Sequence, residues 1–389
     1  MHTRRKLMPL YKQTPNPSGR MGLLWALAPI HDAAIIEYGS MGHMLYANKW
    51  MSYTGLVNYA KMITTHLSEK DIALGITQRL EACVDKVVKE NKARAIFLLP
   101  SSVPEMIGTD LEAIADELQS SYPKIPILNF RSGNFKSEMK QGMEEAYDRL
   151  VKELPNRLGV IDSTHVERGR KARFHLLGSG CDWSCFQSDC AEIIRIMEGA
   201  FDMKKACVFG AASSVKDFYD IAGAELTLVM REDGLKAAKE LKKRYGIPYF
   251  YQAPYGLDGT LSFVHALEEI LGKKADESFI KREYKETTYT TDHCKKWTTY
   301  RKDKAKIWVS KEDELAKGLK DFAIELGFNL EKGEIHMSDL HDLRENFGKC
   351  NIEIRRSTLS NDINPYELPF MGFRGAMNLS ALWYQHLVK

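Results

Sequence analysis

At 389 residues the chain is too long for one compact core and fits two or three domains. A composition 44% apolar and 28% charged is that of a soluble globular protein, and no apolar run approaches the ~18 residues of a membrane span. The net charge of +3 leaves no nucleic-acid footprint, and seven cysteines without paired spacing point to a reducing cytoplasm rather than a disulfide framework.

The basic start, Met1 to Leu10, lacks the apolar core and cleavage site of a secretion signal and reads as an unremoved tail. Beyond it, short runs of β-formers alternate with amphipathic segments, the pattern of a parallel α/β architecture. In chain order, a strand at Ala33–Glu37 precedes a helix over Asp71–Asn91. A strand at Ala95–Leu99 precedes a helix over Gly108–Ser120, and one at Ile125–Phe130 precedes Lys136–Leu154. The strand Arg173–Leu177 precedes a helix over Asp189–Gly199. Strands follow at Lys205–Phe209 and Glu225–Met230, then helices over Gly234–Tyr245 and Thr260–Leu271. A last strand, Lys306–Val309, leads to a helix over Lys311–Gly327, with Ser310 and Asp313 at capping-box spacing and Gly327 suited to a left-handed cap.

Composition shifts divide the chain into domains at 1–165, 166–275 and 276–389. The joints fall at the polar stretch Ser163 to Lys171 and the charged, Thr/Tyr-rich stretch Lys273 to Lys304. Within the second joint, Lys281 to Lys306 mixes acids with its bases and reads as a solvated surface segment.

Three thiols lie within ten residues, Cys181, Cys185 and Cys190, just after the strand Arg173–Leu177. The carboxyl end of a strand is where ligands gather in an open α/β sheet. Cys190 falls in the first turn of the following helix, where the helix field lowers a thiol pKa. The trio could supply three ligands to an iron–sulfur cluster or another metal cofactor, with His43 or a partner as the fourth. Equally, these are buried packing thiols, since their spacing matches no strong zinc or ferredoxin pattern. Neither a G-x-G-x-x-G nor a Walker A sequence is present, so no nucleotide is expected on this chain.

Four segments carry a resemblance. Pro29-Ile30-His31-Asp32-Ala33 through Tyr38-Gly39-Ser40-Met41-Gly42-His43 is similar to a strand and turn of the nitrogenase component 1 family, with Tyr38 at its histidine and His43 at its cysteine. Leu99 to Asp110 resembles a second family segment, with Ser102 at the cysteine, and Ser18 falls near the first cysteine position. Lys243-Arg244-Tyr245-Gly246-Ile247-Pro248 and Pro369-Phe370-Met371-Gly372-Phe373-Arg374-Gly375-Ala376 resemble two more. By spacing, Met230 and Met371 stand where the catalytic subunit of molybdenum nitrogenase holds its metal cluster through a cysteine and a histidine. Arg231 and Arg374 beside them could face a cavity and hold an anionic group, or make structural ion pairs.

The resemblance implies three Rossmann-like domains with parallel sheets around a central cavity. It implies a subunit of a two-component reductase receiving electrons from an ATP-dependent iron–sulfur reductase, paired with a second component 1-type subunit or with itself as a homodimer. The alternative is a non-redox scaffold or carrier that binds a metal cofactor or tetrapyrrole in that cavity. Loss of all five ligand positions fits the carrier; the family's commonest role favours the reductase.

Overall fold

The computed structural model describes residues 17–56, 58–74, 77–90, 92–132, 137–160, 171–211, 213–310, 316–339, 352–355 and 368–388. Three parallel sheets organise them. The first has the order β2-β1-β3-β4, from β1 (Ala34–Tyr38), β2 (Lys61–Thr64), β3 (Ile96–Pro100) and β4 (Ile127–Asn129). The second has the order β6-β5-β7-β8, from β5 (Arg173–Leu177), β6 (Lys204–Val208), β7 (Leu226–Val229) and β8 (Tyr249–Tyr251). The third, β11-β10-β9, is built from β9 (Ile307–Val309), β10 (Ile335–Asp339) and β11 (Ile352–Arg355). The α/β class and the parallel pairing follow the sequence expectation.

All five residues of β1 and of β3 are buried because both faces of the first sheet are covered. Ile36, Tyr38 and Leu98 pack on one side against Leu80 and Val84 of α4 (Thr77–Glu90) and Leu118 of α6 (Leu111–Ser121). Ile35, Phe97 and Leu99 turn the other way into a core that runs on through the second and third sheets. Each such Leu, Ile or Phe contributes roughly 1.5–3 kcal/mol of burial. That continuous core includes α1 (Gly19–Leu27), buried on every side, and α7 (Met139–Lys152), which packs on both α1 and α10 (Leu235–Tyr245).

The remaining helices are α2 (Met41–Tyr53), α3 (Glu69–Leu74), α5 (Ser102–Met106), α8 (Leu154–Arg157), α9 (Phe186–Phe201), α11 (Gly256–Leu271), α12 (Glu277–Tyr300), α13 (Ala316–Glu325) and α14 (Gly372–Val388). The expected joint at Lys273 to Lys304 is instead mostly helix α12. It buries Phe279, Glu283, Thr287, Thr291, Cys294 and Thr298 along one face, and Thr298 donates to the Leu326 carbonyl at 2.6 Å. A stripe of threonines and one glutamate carries a helical period without an apolar one. The helix α14 returns from the third sheet to lie on α9, α11 and α12. Most of the first joint, and the capping box at Ser310 and Asp313, involve residues outside those described; Gly327, just past α13, has the expected left-handed φ of +87°.

Candidate functional site

Strand order reverses between β1 and β3 in the first sheet and between β5 and β7 in the second, and ligand crevices open at the carboxyl ends of such pairs. In the first sheet, Tyr38 and Pro100 end side by side. The Ser101 amide then donates to the Tyr38 carbonyl at 2.9 Å, and the Gly39 amide donates to the Thr65 hydroxyl at 3.0 Å. From these turns α2 carries His43 and α5 carries Ser102; their side chains lie outside the description. Below the turn, Glu37 is buried in an ion pair with Arg20. Burial pushes the Tyr38 phenol up to about 12, so it stays neutral.

At the second crossover the cysteine loop folds over Arg231. Arg231 is 3% exposed, and its guanidinium pairs with Asp182 at 2.8 Å and with Asp233 at 2.8 Å. It lies 5.4 Å from the Trp183 ring centroid and donates to the Met143 sulfur at 3.3 Å. Arg231 is therefore a neutralised structural group, and the expectation that it holds an anionic ligand is not supported by its surroundings.

The three thiols of the loop are buried. Cys181 donates to the Trp25 carbonyl at 3.3 Å, Cys185 sits at the N-cap of α9, and Cys190 is a full turn inside the helix. Burial pushes Cys190 up to about 12, the reverse of the expected lowering, because desolvation outweighs the helix field. Among the described residues no three of His, Cys, Asp or Glu are grouped to hold a metal ion, so Cys181, Cys185 and Cys190 do not converge as a ligand set.

A cleft of about 680 Å³ opens between the carboxyl ends of β7 and β8 and helix α13 of the third sheet. Met230, which follows β7, forms its head, and Tyr251, Tyr255, Asp258, Phe322 and Glu325 complete much of the wall. Met371 is not in that wall, so the two methionines do not share it. The Glu325 carboxylate reaches from α13 to the first turn of α11 and accepts the Asp258 amide at 3.3 Å. Burial and the Asp258 carboxylate push Glu325 up to about 7. Neither Glu325 nor Asp258 stands out in the sequence: they are 67 positions apart and only packing of the lobes joins them.

Met371 is held elsewhere. The amides of Phe370 and Met371 both donate to one oxygen of Asp189, at 2.7 and 2.9 Å, and the Arg374 amide donates to Glu192 at 3.1 Å. Between them Gly372 has a φ of +75°, and a Cβ there would stand 2.6 Å from the Glu192 side chain. The Arg374 side chain points outward, 58% exposed, so it does not line the cleft.

A cluster of iron and sulfide, which the family implies, requires soft thiolate donors. The β1–α2 and β3–α5 turns carry no cysteine, Met230 offers a neutral thioether, and the loop thiols are buried and not grouped, with burial pushing Cys190 up to about 12. Among the described residues, the donors do not fit a thiolate-held cluster.

A family model described as nitrogenase component 1 type oxidoreductase matches residues 18–345. The nitrogenase iron-molybdenum cofactor biosynthesis protein NifE of Clostridium pasteurianum is 25% identical over 280 residues, covering 69% of this chain and 58% of that protein. NifN of Bradyrhizobium diazoefficiens is 23% identical over 225 residues, covering 54% of this chain and 48% of its own length. The chain thus spans about half to three-fifths of the curated relatives it matches. The solved structure of nitrogenase Cp1 at pH 6.5 superposes with a TM-score of 0.73 at 15% identity, over 98% of this chain and 95% of that one, a likeness of fold. With a family match that runs from the first helix into the third sheet, the chain belongs to the nitrogenase component 1 type oxidoreductase family.

Proposed function

We propose that this chain is a component 1-type subunit that holds a ligand in the cleft headed by Met230, as a non-redox scaffold or carrier. The observation that supports this reading is a ligand-sized cleft at the family's strand end, walled by a thioether, aromatic rings and carboxylates, with no thiolate donor in it. The relatives NifE and NifN, named for cofactor biosynthesis, are consistent with a holding role. Iron and acid-labile sulfide measured on the anaerobically purified chain test it. Substoichiometric iron and sulfide are expected; a full cluster on the chain by itself would defeat the carrier reading.

One feature favours a second reading, a subunit of a two-component reductase whose partner supplies the cluster thiolates and receives electrons from an iron-protein-like ATPase. Around the first crossover Met41, Leu45 and Tyr46 of α2 and Met106 and Ile107 beyond β3 are exposed, Leu45 by 62% and Met106 by 83%. Apolar side chains gathered at one strand end mark a docking face, here for a second component 1-type subunit or a second copy. A Leu45→Asp, Met106→Asp variant is expected to run as a monomer where the unaltered chain runs as a dimer or heteromer. An unchanged mass in solution would remove this face as the interface.

A further inference from the structure

Helix α11 follows β8 of the second sheet, yet its start is closed by a residue of the third lobe. Its N-cap is Tyr255, whose side chain makes no capping bond. The first amides of a helix have no acceptor within it, so an oxygen must come from elsewhere. Glu325, the last residue of α13, supplies one: its Oε2 accepts the Asp258 amide at 3.3 Å, and the Leu257 amide bonds to the same carboxylate. The result is a helix cap made across the joint between two lobes.

The joint depends on close approach. A Cβ on Gly256 would stand 2.3 Å from the Phe322 ring and 2.7 Å from Glu325 Oε2, and one on Gly318 of α13 would stand 2.7 Å from the Tyr255 ring. Facing the Glu325 carboxyl are Asp258 from α11 and the Lys295 ammonium from α12, at 3.9 Å from Oε1. Asp321 and Lys317 lie about one and two turns back along α13 and line the same cleft. With its side chain 8% accessible, Glu325 is pushed up to about 7 by burial first and by Asp258 second, and Lys295 and the two amides offset this only in part. Parted from α11 and returned to water, the same carboxyl would titrate at its ordinary value.

We propose that Glu325 is a proton-controlled latch that joins α13 to the first turn of α11 and closes the cleft beside it. The inference rests on reading that cleft as the ligand cavity and adds what governs its opening. The shut latch holds its proton more tightly than the open one. Closure is therefore favoured most below about pH 4.5, weakens about tenfold per pH unit as pH rises to about 7, and weakens no further above it. Neutral Glu325 still accepts the amides through its carbonyl oxygen, whereas the ionised form is a charge kept from water.

Hydrogen exchange of the full chain tests this, read by peptide mass spectrometry from about pH 5.5 to about pH 8.5 and corrected for the intrinsic rate. Protection of the Leu257 and Asp258 amides is expected to fall about tenfold per pH unit up to about 7 and then to level off. At the highest pH it should lie at least ~tenfold below that of Phe263 to Leu267 in the same helix, the mark of a local opening. Glu325→Gln keeps the shape and cannot ionise, so its first turn should stay protected throughout. Gly318→Ala sets a methyl group against Tyr255 and should lower first-turn protection at every pH with the slope unchanged. Equal protection along α11 would mean that only whole-chain unfolding exposes these amides, and would overturn the latch. A pH-independent first turn in the unaltered chain, or an undiminished slope in Glu325→Gln, would overturn it too. Should Glu325→Gln not fold, the slope of the unaltered chain together with the uniform loss in Gly318→Ala supports the latch, and the absence of either overturns it. None of these readouts involves a bound ligand, so the latch and the carrier reading, which iron and sulfide measure, fail separately.

Discussion

Replacing Arg231 by Leu separates a structural arginine from a ligand-binding one. In the folded chain the guanidinium is in contact with two buried carboxylates at 2.8 Å each and lies against the Trp183 ring. Removing it strands Asp182 and Asp233 without their cation, a change that costs about 3–5 kcal/mol for a buried pair. Loss of the guanidinium from the ring adds ~1 kcal/mol, and the apolar leucine returns ~1–2 kcal/mol. The net expectation is a loss of about 2–5 kcal/mol, a large share of the ~5–15 kcal/mol that holds a domain folded.

The assay is urea unfolding near neutral pH, followed by tryptophan fluorescence, in which Trp183 reports on the site itself. The midpoint should fall with little change in slope. Adding Asp182→Asn and Asp233→Asn to Arg231→Leu should recover a substantial part of the loss, because the stranded charges are then gone. If Arg231→Leu unfolds within about 1 kcal/mol of the parent, the network is not holding the loop. The anion-binding role would then return for Arg231.

Two further outcomes concern the cleft and the cysteine loop. The Glu325 carboxyl is pushed from 4.5 up to about 7, so the folded protein retains a proton that the unfolded chain releases across that interval. Stability should therefore fall as pH rises from about 4.5 to about 7 and stay lower above it; Glu325→Gln should flatten that part of a urea midpoint against pH curve, and an identical curve would contradict the assignment. Cys181, Cys185 and Cys190 should resist iodoacetamide in the native chain, as mapped by peptide mass spectrometry, and label on unfolding. Rapid native labelling of Cys190 would show a thiolate that burial does not permit.

The strands were legible where short runs rich in apolar β-formers precede a helical pattern: β1, β3, β5 and β7 begin and end within a residue or so of the runs Ala33–Glu37, Ala95–Leu99, Arg173–Leu177 and Glu225–Met230. The edge strands β2 and β8 were not, because Lys61–Thr64 and Tyr249–Tyr251 are short and half exposed. Helix α1 escaped for the opposite reason, since a helix buried on all sides has no polar face to give it a period. At the site, the position of Met230 at a strand end could be read from spacing. Its neighbours could not: Asp182 is 49 positions from Arg231, and nothing local marks either as half of a buried pair.

The segment around Met371 shows why a family resemblance can persist without the family's ligands. Two amides of that segment are spent on Asp189, another on Glu192, and the Gly372 amide on the Pro254 carbonyl at 2.8 Å. Its glycine is required by a left-handed φ against the Glu192 side chain. Each of these demands is made by the backbone path that seats α14 on α9 and α11, and none depends on the side chain at 371. The same holds at the first crossover, where Gly39 and Ser101 tie two strand ends together through their amides. Motif residues that serve the path can thus remain when the ligand positions between them change. The chemistry of the cleft then falls to groups outside the motifs, and Glu325, brought to the first turn of α11 by the packing of two lobes, is one of them.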